Sequence, residues 1–135
     1  MPSPFLAKTS HAFLVPAAVG LWTGFPYYSL SCLNLYLSSQ AWHHTHHPLA
    51  YVWDQTSIQL TWWIGAYHNW QLDAYSGMHY WIITLYLWYI FFYGYLTKSL
   101  CFGPQQDLWH STIHYSSALG ILMTLYFSSR SPLSS

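Results

Sequence analysis

Charged side chains are almost absent from this chain. Three Lys or Arg residues and three Asp or Glu residues make up 4% of the sequence, whereas an ordinary globular domain has about 25%. Because so few charges cannot cover a surface that faces water, the chain is predicted to place much of its surface against lipid or other proteins. The net charge is zero with His neutral, which argues against nucleic acid and anionic lipid as electrostatic partners.

Long uncharged stretches predict helices that cross a membrane, since one span needs about 20 mostly apolar residues. The chain is 53% hydrophobic and 21% aromatic. We therefore expect an all-α integral membrane protein, with a single membrane domain over residues 1–135 and a short polar tail at 129–135. About four transmembrane helices are expected, at residues 12–38, 50–67, 77–97 and 108–128. The second carries Asp54 near its start, so a re-entrant helix is the alternative there.

The order of the predicted helices groups the polar residues on two sides. Pro16 and Pro26 are expected to kink the first helix without ending it. With four crossings, both chain ends lie on one side, and the first and third connections share the other. That shared side is predicted to hold the HHTHH run at residues 43–47, together with Asp54, Asp107, His110 and His114. His68, Asp73 and His79 are predicted to lie on the opposite side.

Histidines at helical spacing suggest a metal site on the shared side. His110 and His114 are four residues apart, so their rings point the same way from a helix, and Ser39 and His43 have the same spacing. Neutral imidazole is a good ligand for zinc, iron and copper. These residues, gathered with Asp54, would provide what a zinc-dependent hydrolase requires: three ligands and a group that orients a water molecule.

The same residues resemble the motifs of the alkaline ceramidase-like membrane hydrolases, also called the CREST group. The matching positions are SQAWH at 39–43, Asp54, HSTIH at 110–114, Ser117 and the Leu119-Gly120 pair. The resemblance implies that His43, His110 and His114 are zinc ligands. It also implies that Asp54 holds or activates the water and that Ser39 assists. The family has more spans than this chain has room for, so the resemblance covers short patches only.

Two other metal groups are alternatives to zinc. The HHTHH run and the HSTIH segment look like histidine boxes of membrane di-iron desaturases, although a third box is missing and the order is reversed. His79 and His114 are candidate haem ligands, as in small anchor subunits of respiratory complexes. The remaining alternative is that the histidines bind neither zinc nor haem and hydrogen-bond to neighbouring groups.

The composition favours a small, polytopic, non-catalytic subunit of a large membrane assembly. We expect an energy-transducing respiratory complex of the mitochondrial inner membrane, or else a plastid membrane, because an Arg-rich presequence is missing and charge is scarce. The expected role is to pack against neighbouring subunits and lipids. On this interpretation no catalytic, haem-binding or metal-binding residue is assigned, and the zinc-dependent lipid hydrolase and the haem anchor are the alternatives.

Overall fold

The computed structural model describes residues 2–131, most of which are helical. The helices are α1 (Pro4–Thr9), α2 (Leu14–Trp22), α3 (Pro26–Thr45), α4 (Pro48–Trp70), α5 (Ala74–Trp88), α6 (Gly94–Thr97) and α7 (Gln106–Ser129). A 3-10 turn at Ser10–Phe13 joins α1 to α2, and a π-helical turn at Tyr89–Tyr93 joins α5 to α6. Another 3-10 turn, Leu100–Phe102, precedes α7. Over these residues the chain therefore forms five helical segments: α1–α2, α3, α4, α5–α6 and α7.

Successive segments run antiparallel to each other. Hydrogen bonds made by side chains join residues near the end of one segment to residues near the start of the next segment. Others join the start of one segment to the end of the next. These pairs include Ala7 with Gln40, Asn34 with Ser57, Trp62 with Thr84 and Tyr86 with Thr112. The bundle therefore has two ends. We call the one where α1, α4 and α7 begin and α3 ends the histidine end, because residues 43–47 lie there.

The apolar core lies between α2, α3 and α7. Its buried members are Phe13, Ala17, Tyr28, Cys32, Leu35, Ala118, Ile121 and Leu125. Small hydroxyl side chains fill much of the remaining interface, and many of them donate to a carbonyl of their own helix. Ser31, for example, donates to the Tyr28 carbonyl at 2.8 Å. α3 packs mainly against α4 and α2, and α7 packs mainly against α5, while α1, α2 and the Ser10–Phe13 turn contact both α3 and α7.

No helix among residues 2–131 is long and apolar enough to cross a membrane. The predicted integral membrane protein with four transmembrane helices is therefore wrong, and so is its predicted location in the mitochondrial inner membrane or a plastid membrane. The physical reason is that many of the aromatic residues in these stretches are only partly apolar. The 13 Tyr and 9 Trp carry polar O–H and N–H groups, and Ser, Thr and His interrupt every stretch. The mean hydropathy of the chain is consequently only +0.18.

Helices occupy all four predicted stretches, but the first stretch is divided. The chain turns at Gly24, whose φ of 86° suits glycine, and Pro26 then begins α3. Proline fits the first turn of a helix, because a backbone N–H at that position would have no acceptor within the helix and its absence costs nothing. Pro26 therefore starts a new helix where a kink was predicted. Because the structure has five segments instead of four, α1 begins and α7 ends at opposite ends of the bundle. Of the predicted polar tail, residues 132–135 lie outside the described residues.

Candidate metal centre

Three imidazole rings from two helices meet at the histidine end. His43 lies in the last turn of α3, and His110 and His114 lie in the first half of α7. One nitrogen of each ring lies within 4.8 Å of one nitrogen of each other ring. The ring centroids are 5.1 Å apart for His43 and His110, 5.3 Å for His43 and His114, and 5.0 Å for His110 and His114. We call this group the histidine triangle.

The histidine triangle fits a zinc ion with three protein ligands. Tetrahedral zinc, with Zn–N distances of about 2.1 Å, requires ligand nitrogens about 3.4 Å apart, and the three nitrogens here lie within 4.8 Å of one another. His43 is only 1% exposed, and neither of its nitrogens has a hydrogen-bond partner among the described residues. A buried polar group without a partner is costly, and a metal ion would provide the missing partner.

Burial keeps the three imidazoles neutral, which is the form that binds metal. Desolvation, with a smaller effect of the neighbouring His110, lowers the pKa of His43 to about 3. Desolvation also lowers the pKa of His110 to about 4, although the carboxylate of Asp107 acts in the opposite direction. The pKa of His114 lies well below its usual value for the same reason, and the two other rings add to the effect. The triangle therefore presents lone pairs at neutral pH.

The four histidines of the HHTHH run have four different environments. His43 is buried in the triangle, whereas His44 is exposed. His46 ends α3 in the left-handed conformation, with φ of 50°. His47 caps α4, because its Nδ1 accepts the backbone N–H of Leu49 at 3.1 Å. Only His43 of this run belongs to the triangle, so the run does not act as one box of iron ligands in this structure.

Asp54 and Ser39 lie near the histidine end but are not part of the triangle. Asp54 is buried in α4 and accepts a hydrogen bond from Ser38 Oγ at 3.3 Å. Burial raises the pKa of Asp54 to about 6, and the bond from Ser38 reduces that effect. Ser39 is buried one helical turn before His43. The structure thus places a carboxyl group that ionises near neutral pH against the helix that carries His43.

His79 and His114, the candidate haem ligands, are not brought together. His79 Nε2 lies 3.3 Å from Thr124 Oγ1, and His79 Nδ1 lies 2.7 Å from the Ser76 carbonyl. Thr124 lies about 15 Å beyond His114 along α7, given the rise of a helix per residue. Two axial ligands of one haem must face the same iron from opposite sides. This pair therefore does not suit a haem held within one chain.

Sequence reasoning missed the part of the site that α1 provides. Thr9 Oγ1 lies 2.7 Å from His114 Nδ1, and Ser3 Oγ donates to Asp107 Oδ2 at 2.9 Å. A local signal for α1 was present: Ser3 caps the helix by accepting the Leu6 N–H, and Pro4 follows at the first helical position. Serine followed by proline is typical of a helix start. The contact of Thr9 with His114, in contrast, has no local signal.

The metal-free protein is expected to lose stability as the pH falls below about 6.5. The three triangle histidines have lower pKa values in the folded chain than the ordinary 6.5, so the unfolded chain takes up protons first. The free energy of unfolding should fall by up to about 1.4 kcal/mol per pH unit for each histidine, until the folded pKa values are reached. Denaturant titrations between about pH 7.5 and about pH 5 measure this slope.

The matched variants are His43→Gln and His44→Gln, which change a buried and an exposed neighbour in the same helix turn. His43→Gln should make the pH dependence shallower, and His44→Gln should leave it as in the wild type. An equal slope in all three proteins would contradict the assignment of the pH dependence to the triangle.

Comparison with known proteins gives no match. No protein-family model matches the chain, and neither the curated proteins nor the solved structures include a significant match. An argument about function therefore depends on the chemistry of the histidine triangle and the residues around it.

Proposed function

We propose that the histidine triangle binds a zinc ion and that the chain is a zinc-dependent hydrolase. The observation that carries this proposal is the convergence of three neutral imidazoles, with two buried His43 nitrogens that have no hydrogen-bond partner among the described residues. Three protein ligands leave a fourth position open, as in catalytic zinc sites, whereas structural sites have four. A zinc ion bound there would lower the pKa of a water molecule and polarise a substrate carbonyl group.

Asp54 is the residue that we propose to accept and return a proton. Its pKa of about 6 suits a general base at neutral pH, and its carboxyl group is oriented by Ser38. Hydrolysis adds water across an ester or amide bond, so the proton that Asp54 takes from water passes to the leaving oxygen or nitrogen. Ser39 would assist as a hydrogen-bond donor to the developing negative charge.

The surroundings of the triangle favour a substrate with an apolar acyl group. Phe13 packs edge-on against the ring of His114, with centroids 5.5 Å apart, and Leu6 of α1 is also buried. Only one charged side chain, Asp107, lies within the first turn of α7, and it is bonded to Ser3. A lipid ester or amide is therefore the substrate class that we propose.

Zinc binding is the first test of this function. The purified chain is expected to retain about one zinc ion per molecule after dialysis. His110→Ala and His114→Ala should each lose the metal, because two imidazoles cannot hold it as tightly as three. His44→Ala, which changes an exposed residue beside His43, is the matched control and should retain zinc. Elemental analysis measures the content, and a wild-type chain that takes up no zinc on titration would contradict the proposal.

Asp54→Asn is expected to raise stability and to abolish hydrolysis. The folded pKa of Asp54 is above the ordinary 3.8, so the fold favours the protonated acid. As the pH rises from 3.8 through about 6, ionisation of this buried group costs the fold up to about 3 kcal/mol. Asparagine avoids that cost at neutral pH. Denaturant titration should therefore show a larger free energy of unfolding, while hydrolysis of a fluorogenic acyl ester falls by about 100-fold or more.

The matched control for this variant is Asp73→Asn, at the exposed cap of α5, where asparagine can still accept the Ser76 N–H. It should change neither stability nor activity by much. Full activity in Asp54→Asn would exclude the proton-transfer role, and a large loss of stability would contradict the energetic argument.

A second candidate function is a non-catalytic subunit of a larger protein assembly. The end of the bundle opposite the histidine end carries four very exposed aromatic side chains: Trp22 (88%), Tyr27 (82%), Trp70 (83%) and Tyr75 (80%). Exposed apolar patches of this kind mark surfaces that other proteins cover. We call this the aromatic end, and its exposure supports a role in packing against partner subunits.

Without its partners, a chain of this second kind should self-associate through the aromatic end. Replacing Trp22 and Trp70 together by serine is expected to lower the mass measured by light scattering towards that of a monomer. Trp88→Ser, at an exposed position on the side of α5, should leave the mass unchanged. A monomeric wild-type chain would exclude this candidate.

A further inference from the structure

We propose that Thr9 is a positioning residue that presents Nε2 of His114 to the metal ion, so that α1 forms part of the metal centre. This inference rests on the proposed zinc site. Its basis is the contact between Thr9 Oγ1 and His114 Nδ1 at 2.7 Å. Thr9 is 5% exposed and His114 is 4% exposed, so water does not compete for this bond.

The hydrogen bonds of Thr9 determine which nitrogen of His114 carries the proton. A threonine hydroxyl has one proton, and Thr9 Oγ1 lies 3.1 Å from the Leu6 carbonyl, to which it donates. The same oxygen must then accept a hydrogen bond from His114 Nδ1. A neutral imidazole has a single N–H, so a proton on Nδ1 leaves the lone pair on Nε2.

The packing around His114 directs that lone pair towards the other two ligands. Nδ1 faces α1 through its bond to Thr9, while the ring lies against the rings of His43 and His110. Phe13 contacts the His114 ring edge-on and restricts its rotation. Nε2 is therefore the nitrogen that is available to a metal ion in the triangle.

The helix that carries Thr9 is attached to both helices that carry the ligands. The Ser3 N–H donates to the His43 carbonyl at 2.8 Å, and Ser3 Oγ donates to Asp107 Oδ2 at 2.9 Å. Gln40 Nε2 lies 2.6 Å from the Ala7 carbonyl and 2.6 Å from Ser10 Oγ. These bonds hold α1 against α3 and α7 at both of its ends, so the position of Thr9 relative to His114 does not depend on a single contact.

Metal-binding histidines usually donate their other N–H to a neighbouring acceptor, and loss of that acceptor weakens metal binding by about 10-fold to 100-fold. We therefore expect Thr9→Val, which keeps the shape and removes the hydroxyl, to weaken the affinity for Zn²⁺ by about that factor. Thr9→Ser keeps the hydroxyl and should bind as tightly as the wild type. Competition with a chromophoric chelator, using Zn²⁺ alone as the probe, measures these affinities.

The matched control is Thr61→Val, since Thr61 is also 5% exposed and donates to a backbone carbonyl, that of Ser31, away from the triangle. It makes the same chemical change in the core and should leave zinc affinity unchanged. If Thr61→Val weakens binding as much as Thr9→Val, the effect is general loosening of the bundle, and the proposal is overturned.

A second measurement reads the proton position directly in the metal-free protein. Long-range proton–nitrogen correlation spectra, with the His114 signals identified through His114→Gln, should show the proton on Nδ1 in the wild type and in Thr9→Ser. In Thr9→Val the proton should move in part to Nε2. A structural role for Thr9 unrelated to the imidazole would leave this pattern unchanged.

The outcomes separate this inference from the proposed function. A wild-type protein with the His114 proton on Nε2 overturns the role of Thr9, whatever its zinc content. Zinc binding in the wild type with equal affinity in Thr9→Val overturns the role of Thr9 and leaves the zinc site in place. Failure of the wild type to bind Zn²⁺ overturns both.

Discussion

Hydrogen bonds between buried, uncharged polar side chains hold this bundle together. With six charged residues in the chain, ion pairs contribute little, and helices are joined by contacts such as those of Asn34 with Ser57 and of Asn69 with Thr124. Each such bond is worth about 1 kcal/mol when made, and leaving either partner unpaired in the interior costs more. Five buried side-chain atoms among the described residues have no hydrogen-bond partner: both nitrogens of His43, Tyr28 Oη, Asn69 Oδ1 and Ser128 Oγ. Of these residues, His43 is the one that lies against two other imidazole rings, which makes it a candidate ligand.

Local spacing in the sequence was enough to suggest part of the site. His110 and His114 stand out because residues four apart share a helix face, and His43 stands out in a run of histidines. The contact that orients His114, in contrast, joins residues 105 positions apart in the chain. Nothing in the neighbourhood of Thr9 indicates that partner. The helices themselves were visible as long stretches without charge, but tyrosine and tryptophan made these stretches look more apolar than they are.

The residues of the candidate site lower the stability of the fold, because they are polar groups buried away from water. His43 and Asp54 are each buried in a form that gives up solvation without full compensation from neighbours. A sequence selected for stability alone would place apolar side chains at these positions. Buried titratable groups of this kind are frequent at functional sites, where stability is given up for reactivity.

The contacts of α1 with α7 have a consequence for how the protein is made. The candidate ligands and Thr9, which contacts His114, come from the first, third and last of the described helices, so the candidate site can assemble only when the chain has been synthesised through α7. A metal ion held by His43, His110 and His114 would then join segments separated by about half of the chain, in the manner of a cross-link. Such a link restricts the unfolded chain and would therefore stabilise the folded bundle. Because the ligands come together only in the folded chain, metal uptake would be a late folding event.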